Sequence, residues 1–278
     1  MTRRSAFIAG LAAALSVALW ATAAAAQTPK PGLERLYVID CGTSLGPDKA
    51  RWTPGIDVGK PLPMVGNCYL IKHAQGWMIW DTGVTDEVAK MPDGQPGTNG
   101  SPHWWRTKTL AGEIEKLGLK PSDIKYLAVS HTHPDHNGNV ELFPQSMLLV
   151  QRAEYDWPGP NNTPRFAPGH PVTKLDGDHD VFGDGSVTII STPGHTPGHQ
   201  CLLVKLPKFG AVLLTGDAVH IQESWDKRIV PANNVDRDKT LTSYKRLADI
   251  MAQTNAKMWI NHDAPQRASM KLSPEYYE

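Results

Sequence analysis

The chain has 278 residues, and its content of 40% hydrophobic and 20% charged residues is ordinary for a globular protein with one sizeable core or two small ones. The formal net charge is zero at pH 7, and lysine and arginine form no cluster along the sequence. These features exclude the basic footprint of a nucleic-acid-binding protein, so we expect no nucleic-acid partner.

The first 26 residues are typical of an export signal. Arg3 and Arg4 give a positive start, residues 7–20 are apolar, and residues 24–26 form an alanine cleavage site before Gln27. A retained N-terminal anchor is the alternative, although the apolar run is shorter than the about 20 residues of a membrane span. We therefore predict a signal peptide, with the Sec and twin-arginine routes both open.

Removal of this signal peptide would leave residues 27–278, with 26 basic and 28 acidic residues and a formal net charge of −2. A proline- and glycine-rich linker at residues 27–33 comes first, and no later linker divides the mature chain. We predict a single domain that is periplasmic or secreted and has no stable membrane association after cleavage.

Short strand-like runs and two helical runs follow one another in the mature chain. The predicted strands cover residues 36–39, 68–72, 77–80, 124–130, 147–150, 187–190, 201–205, 211–215 and 257–260. The predicted helices cover residues 107–117 and 236–253, and Asp236 is a suitable N-cap for the second. Two long loops lie at residues 91–102 and 157–171. Two groups of consecutive strands, each followed by a helix, indicate a layered α/β fold with its loops at one edge.

The three cysteines, Cys41, Cys68 and Cys201, lack the spacing of a metal or redox motif. An exported protein can form one disulfide from them, with one thiol left over. Cys201 precedes an apolar run and is predicted to be buried. The sequence leaves open whether Cys41 pairs with Cys68.

The strongest motif is HTHPDH, which directly follows the predicted strand 124–130. Residues two apart in an extended segment point the same way, so His131 and His133 can bind one ion together. The proline ends the strand, and Asp135 and His136 then project toward a second position. Imidazole and carboxylate without thiolate suit zinc, with iron, manganese and cobalt as alternatives. A His-rich surface turn is the structural alternative.

Three more candidate ligands follow strand-like runs later in the chain. They are His195 in TPGHTPGH, Asp217 in TGDA and His262 in INHD. Glycines flank His195 and Asp217, so the backbone can turn tightly and approach an ion at these positions. Their presence favours a metal site over a surface turn.

The order HTHPDH, GHT, GD and NHD, with WDTG upstream, resembles the metallo-β-lactamase superfamily over essentially the whole mature chain. The resemblance implies an αββα sandwich with the metals at one edge of its two sheets. It also implies that seven side chains hold two ions: His131, His133 and His195 the first, Asp135, His136 and His262 the second, and Asp217 both. Asp81 would lie beside them and hold ligands in place.

Such a pair of ions, about 3.5–4 Å apart, lowers the pKa of a shared water and supplies hydroxide at neutral pH. The resemblance assigns to Asp135 the transfer of the water's proton to the leaving group. The predicted reaction is hydrolysis of an ester, lactone, amide or phosphoester without a covalent enzyme intermediate. The expected cofactors are two zinc ions or other divalent metals.

Individual residues of these motifs narrow the resemblance to one branch of the superfamily. His133 stands where diiron redox members carry an acidic residue, and Asp217 is the bridging carboxylate that β-lactamases lack. The segments TPGHTPGHQCLLVKL and LLTGDAVH are most similar to the N-acyl-homoserine lactone lactonases, the quorum-quenching branch. His220 stands where better-known members carry a tyrosine that hydrogen-bonds the substrate. A histidine can donate the same bond, so His220 is expected either to contact substrate or only to pack.

The other histidines are expected to support the site or to lie outside it. His199 follows His195 by four residues and is predicted to be a neighbour of the ligands, with direct ligation as the alternative. Four further histidines are expected to be solvated in turns or loops: His73, His103, His170 and His179.

Aromatic residues on the two long loops have two interpretations. Trp104 and Trp105 either form an apolar wall for an acyl chain or pin their loop to the core. Trp157 and Phe166 pose the same choice on the second loop.

The leading hypothesis is a dinuclear zinc enzyme that opens the ring of N-acyl-homoserine lactones, with a small-molecule ester or lactone as its partner. The alternative is another metallo-hydrolase on the same site, such as a β-lactamase, an arylesterase or a phosphotriesterase. A metal-binding protein without catalysis is a third hypothesis, which the complete ligand set disfavours.

Overall fold

The computed structural model describes residues 1–2 and 32–278. The predicted signal peptide and most of the predicted linker lie outside the described residues, except for Met1, Thr2 and the linker's last two positions. No helix among the described residues has the length and apolar character needed to cross a membrane.

Within residues 32–278 the structure contains twelve strands, six α-helices and six short 3-10 helices. The strands are β1 (Leu33–Gly46), β2 (Leu62–His73), β3 (Gly76–Trp80), β4 (His103–Trp105), β5 (Ile124–Ala128), β6 (Met147–Gln151), β7 (Val172–Leu175), β8 (His179–Asp180), β9 (Val187–Ser191), β10 (Gln200–Leu206), β11 (Gly210–Leu214) and β12 (Lys257–Trp259). The α-helices are α1 (Leu110–Lys116), α2 (Pro134–Asn137), α3 (Arg152–Tyr155), α4 (Gln222–Asp226), α5 (Arg237–Thr254) and α6 (Ala264–Arg267). The 3-10 helices are Lys49–Arg51, Asp86–Lys90, Pro121–Asp123, Val140–Leu142, Pro160–Asn162 and Gly216–Ala218.

The strands form two sheets, and the loops that carry the candidate metal ligands extend from the ends of their strands. The first sheet has seven strands in the order β4-β1-β2-β3-β5-β6-β7, and the second has five in the order β12-β11-β10-β9-β8. Strands β3 and β5 run parallel, as do β11 and β12, whereas β10 is antiparallel to both β9 and β11. The carboxyl ends of β9, β11 and β12 therefore lie at the same edge of their sheet.

Alternating side chains along the strands build three apolar layers. In β1, Leu36 and Val38 face the core between the two sheets, whereas Tyr37 and Ile39 face the outside of the first sheet, where α1 packs. In β10, Leu202 faces the central core with the same alternation, and its neighbours pack with α5 on the outside of the second sheet. This helix–sheet–sheet–helix arrangement confirms the predicted αββα sandwich.

The helices begin where capping residues allow them to begin. Asp236 caps α5 as predicted, since its Oδ1 accepts a hydrogen bond of 2.9 Å from the amide of Lys239. Helix α1 starts at Leu110, three residues later than predicted, because Thr109 is the residue whose side chain accepts from the amide of Gly112. Sequence patterns missed β4, β7 and β8, which are short and depend on neighbouring strands for their hydrogen bonds.

Two features of the core could not be anticipated from local sequence. His73, which was expected to be solvated, is buried: its ring stacks on Phe182 at 3.8 Å, and its Nε2 lies 2.9 Å from Asp184 Oδ2. That prediction was wrong because the partners of His73 are about a hundred residues distant in sequence. The structure also pairs Cys41 with Cys68 in a disulfide between β1 and β2, and it leaves Cys201 as a buried free thiol.

Candidate metal centre

The predicted ligands converge at the edge where several strands end. His131 and His133 follow β5, with His133 as the N-cap residue of α2 and Pro134 as the first residue of that short helix. Asp135 and His136 lie within α2, and the helix therefore turns them away from the preceding strand direction. Extended backbone before Pro134 and helical backbone after it separate the motif into two pairs.

The second sheet contributes the remaining three side chains from its strand ends. His195 lies in the loop after β9, Asp217 in the 3-10 helix after β11, and His262 in the turn after β12. Two groups result whose donor atoms lie within 4.8 Å of one another: His131, His133, His195 and Asp217 in the first, and Asp135, His136 and His262 in the second.

Asp217 faces both groups with different oxygens. Its Oδ2 lies 3.6 Å from His131 Nε2 and 3.4 Å from His195 Nε2, whereas its Oδ1 lies 3.1 Å from His136 Nε2 and 2.9 Å from His262 Nε2. The carboxylate is almost fully buried, and Oδ1 receives no hydrogen bond of acceptable geometry from residues 32–278 despite these short distances. A buried carboxylate oxygen without a donor needs a cation as its partner.

Nitrogens of three histidine rings also lie within hydrogen-bond distance of one another, although the rings do not carry the protons that would make each contact a hydrogen bond. His133 Nδ1 lies 2.9 Å from His131 Nε2 and 3.0 Å from His195 Nε2. Burial, the largest effect at each ring, lowers the pKa of His133 and holds the pKa values of His131 and His195 well below the ordinary value, which keeps these rings neutral. Neutral imidazoles that aim nitrogens at a common point fit a metal ion.

The outward nitrogens of four candidate ligands each contact a neighbouring residue. His136 Nδ1 donates to Asp81 Oδ2 at 2.9 Å, and His262 Nδ1 donates to the carbonyl of Val65 at 2.7 Å. His195 Nδ1 is 2.9 Å from Asn234 Oδ1, and His131 Nδ1 is 3.1 Å from the hydroxyl of Ser130. These contacts leave Nε2 of each ring free to face the centre of the site.

Asp81 lies at the end of β3 in a left-handed backbone conformation, with φ of 56°. Its Oδ1 accepts from the amide of Ser130 at 2.6 Å, and its Oδ2 accepts from the hydroxyl of Ser130 at 3.0 Å as well as from His136. One carboxylate thus orients both His136 and the residue that precedes His131.

His199 lies outside both donor groups. Its Nε2 accepts hydrogen bonds from the amides of Asp217 at 3.0 Å and Ala218 at 3.1 Å, so its proton is on Nδ1, which donates to Thr192 Oγ1 at 2.9 Å. Burial lowers the pKa of His199 to about 3, in agreement with a neutral ring. His199 therefore positions the backbone of Asp217.

His220 is buried beside the same carboxylate. Its Nε2 lies 3.0 Å from Asp217 Oδ2, and its ring packs against that of His195 at 4.9 Å. Its Nδ1 is buried and has no hydrogen-bond partner among the described residues. His220 therefore packs beside Asp217 and also lines the cavity above the site, so both roles expected from the sequence, substrate contact and packing, are compatible with its position.

A cavity of about 260 Å³ opens over the site. Its floor contains five of the polar residues: His133, Asp135, Asp217, His220 and His262. Its wall mixes apolar side chains, Trp52, Met64, Val84 and Trp104 among them, with polar residues of the neighbouring loops. Arg51 also lines it and donates to the carbonyl of Asn99 on the 91–102 loop.

The two neighbouring tryptophans have different surroundings. Trp104 is buried, lines the cavity and lies 6.0 Å from the ring of His262. Trp105 is not among the cavity-lining residues, and its ring stacks on His103 at 4.0 Å. On the second loop, Phe166 packs into the core and stacks on Tyr155, which pins that loop, whereas Trp157 packs under Arg165 of the same loop.

Several supporting residues escaped sequence reasoning. Asn234, Trp52 and Arg51 belong to no motif, and they reach the site only through loops whose course depends on the fold. Glu154 is fully buried in α3, directly after β6. The only sign of its buried position in the sequence is that it closely follows an apolar run.

Comparison with known proteins agrees with this geometry. The family model for the Metallo-beta-lactamase superfamily matches residues 61–257. The chain belongs to the metallo-beta-lactamase superfamily. Among its relatives, the N-acyl homoserine lactonase AttM of Azorhizobium caulinodans is 33% identical over 88% of this chain and 98% of its own length. An N-acyl homoserine lactonase of Bacillus cereus is 29% identical over 88% of this chain and 99% of its own length.

A solved metallo-beta-lactamase-like structure extends the comparison to three dimensions. It is an N-acyl homoserine lactone hydrolase with the product N-hexanoyl-L-homoserine bound at its catalytic metal centre. It superposes with a TM-score of 0.78 at 28% identity, over 88% of this chain and 99% of its own. These comparisons confirm the predicted resemblance to the lactonases, whose members are hydrolases of lactone esters.

Proposed function

We propose that this chain is a metal-dependent hydrolase that opens the lactone ring of N-acyl homoserine lactones. The observation that carries the proposal is the pair of donor groups that share Asp217 at the floor of a cavity with an apolar patch on its wall. A small lactone with an acyl chain matches such a cavity, because its polar ring can meet the donors while its chain contacts the apolar wall.

Two divalent cations, zinc by the chemistry of the donors, are the proposed cofactors. His131, His133 and His195 would hold one, Asp135, His136 and His262 the other, and Asp217 both. When bound, the two ions supply a water of lowered pKa and polarise the scissile carbonyl. Two of the donors are carboxylates, Asp135 and Asp217, and two further carboxylates, Asp81 and Glu154, are buried beside the segments that carry the donors.

Asp135 is the side chain that we assign to proton transfer. It lines the cavity, its side chain is 20% exposed, and its Oδ2 lies 3.5 Å from His262 Nε2. Water adds to the carbonyl carbon, the bond from that carbon to the ring oxygen breaks, and Asp135 passes the proton of the water to the ring oxygen. The product is an N-acyl homoserine with a free hydroxyl and a carboxylate.

His220 and His199 keep Asp217 in place for this reaction. His220 Nε2 lies 3.0 Å from the carboxylate, and His199 accepts a hydrogen bond from the backbone amide of Asp217. Because His199 does not line the cavity, we propose that it does not bind the substrate carbonyl.

The acyl chain would lie against Trp104, Met64 and Trp52. Each buried methylene contributes about 0.8 kcal/mol, so the apolar wall can select chain length. Trp105 has no part in this selection in our proposal, since it faces His103.

We also propose that residues 1–26 export the protein to the periplasm or the medium. The disulfide between Cys41 and Cys68 supports this location, because such bonds persist in oxidising compartments.

A pH-stat assay of purified residues 27–278 tests the proposal. The substrates are a short-chain and a long-chain N-acyl homoserine lactone, a penicillin, an aryl ester and a phosphotriester, and bound metal is counted in the same sample. Acid release from a lactone with about two zinc per chain is the expected result. If the chain has its full metal content but hydrolyses only the penicillin, the aryl ester or the phosphotriester, the proposed lactonase function is wrong and that substrate class replaces it.

A further inference from the structure

A buried glutamate connects the loops that carry the first donor group. Glu154 lies in α3 and has no exposed surface. Its Oε1 accepts hydrogen bonds from the amide of Thr132 at 2.8 Å and from the hydroxyl of Thr132 at 2.7 Å. Its Oε2 accepts from the amide of Gly198 at 3.0 Å.

Each of these contacts touches a ligand-bearing segment. Thr132 is the residue between His131 and His133, so its amide and hydroxyl fix the spacing of two ligands. Gly198 lies in the loop of His195 and immediately precedes His199, which in turn holds the amide of Asp217. One carboxylate therefore contacts two of the segments that supply the first group, and through His199 it is linked to the third, which carries Asp217.

The approach of α3 to the His195 loop is unusually close. A Cβ on Gly198 would lie 2.2 Å from the amide nitrogen of Glu154, so only glycine fits at this position. The contact between Glu154 and the loop is thus made backbone to backbone as well as through the carboxylate.

The charge of Glu154 has no cationic partner in the described part of the chain. All three of its hydrogen-bond donors are neutral groups, and within residues 32–278 no ion pair includes this carboxylate. A buried negative charge is costly unless a positive charge lies near it. Arg165 is close enough to feel the charge of Glu154 but forms no ion pair with it, and the ions expected at the adjacent donor groups would supply further positive charge.

We propose that Glu154 is a positioning residue of the metal centre, which fixes the loops of His131, His133 and His195 and whose negative charge complements the bound cations. This inference rests on the proposed metal centre and goes beyond the reaction, because it concerns metal affinity and not substrate. Hydrogen-bonded groups behind metal ligands change affinity by about 10–100-fold when they are replaced.

The test uses Glu154→Gln, which preserves size but removes the charge and turns an amide N–H toward the donors. Metal dissociation constants come from competition with a chelator, and unfolding temperatures are measured with and without metal. We expect metal affinity to fall by about 10–100-fold, with a larger drop in unfolding temperature for the metal-loaded protein than for the metal-free protein. A merely structural glutamate would lower both unfolding temperatures equally and leave metal affinity unchanged, and that result would overturn the proposal.

Glu113→Gln is the matched control, since Glu113 is a buried carboxylate in α1 on the outer side of the first sheet. Its substitution should leave metal affinity unchanged. If Glu154→Gln does not fold, Thr132→Val removes one of the three donors and should lower metal affinity by a smaller factor, whereas unchanged affinity would contradict the inference. Because both readouts are independent of lactone turnover, failure of the proposed lactonase activity does not affect the result.

Discussion

Replacement of Asp81 by asparagine removes the negative charge beside His136 but keeps the size and shape of the side chain. Asparagine tolerates the left-handed backbone that Asp81 adopts, with φ of 56°, so the substitution introduces no backbone clash. Asp81 accepts three hydrogen bonds, from the amide and hydroxyl of Ser130 and from His136 Nδ1. An asparagine has one oxygen and one NH₂ group. Because the backbone amide of Ser130 can only donate, the asparagine oxygen faces that amide, and the NH₂ group faces the hydroxyl of Ser130 and His136 Nδ1.

The effect depends on whether metal is bound. Without metal, His136 can move its proton to Nε2 and accept from the new amide through Nδ1. With metal, Nε2 must face the ion, so Nδ1 keeps its proton and loses its acceptor. An unsatisfied buried donor costs about 1–3 kcal/mol. At about 1.4 kcal/mol per factor of ten, we expect metal affinity at the second group to fall by about 5- to 150-fold.

Chelator competition on the wild type and on Asp81→Asn measures this loss directly. Asp57→Asn is the matched control, because Asp57 also has a positive φ, of 51°, but pairs with Lys49 and Lys60 away from the cavity. Dissociation constants within threefold of the wild type for both ions of Asp81→Asn would refute the reasoning.

Three further predictions concern the cavity, the thiols and the shared carboxylate. Trp104→Ala should change the preference between short- and long-chain lactones, by about fourfold per methylene, whereas Trp105→Ala should not; equal chain-length profiles for wild type and Trp104→Ala would contradict the assigned wall. Burial raises the pKa of Cys201 to about 12, so its thiolate is scarce at pH 8, and thiol titration should give no reaction in the native chain and one thiol after unfolding without reductant. Three thiols in that unfolded sample would exclude the disulfide. Asp217→Ala should remove at least one bound metal, and two retained metal equivalents with full activity would exclude its shared role.

The sequence by itself determined the chemical character of the site, because the ligands are concentrated in short motifs. HTHPDH places His131, His133, Asp135 and His136 within six residues, so local backbone geometry alone separates them into two pairs. The long helix α5 was equally predictable, since its N-cap and its apolar stripe are local properties of the sequence. Apolar runs also identified most strands of the two sheets.

Tertiary structure decided everything that depends on contacts between distant segments. Pairing of β4 with β1 accompanies the placement of Trp104 at the cavity while Trp105 stacks on His103, a distinction that two adjacent tryptophans do not reveal in sequence. Burial of His73 by Asp184 required two segments that are 111 residues apart, and the support of Thr132 and Gly198 by Glu154 likewise required the fold. Sequence patterns report the period of a strand or helix, but they do not report which partner its side chains meet, because that is set by the packing of the two sheets.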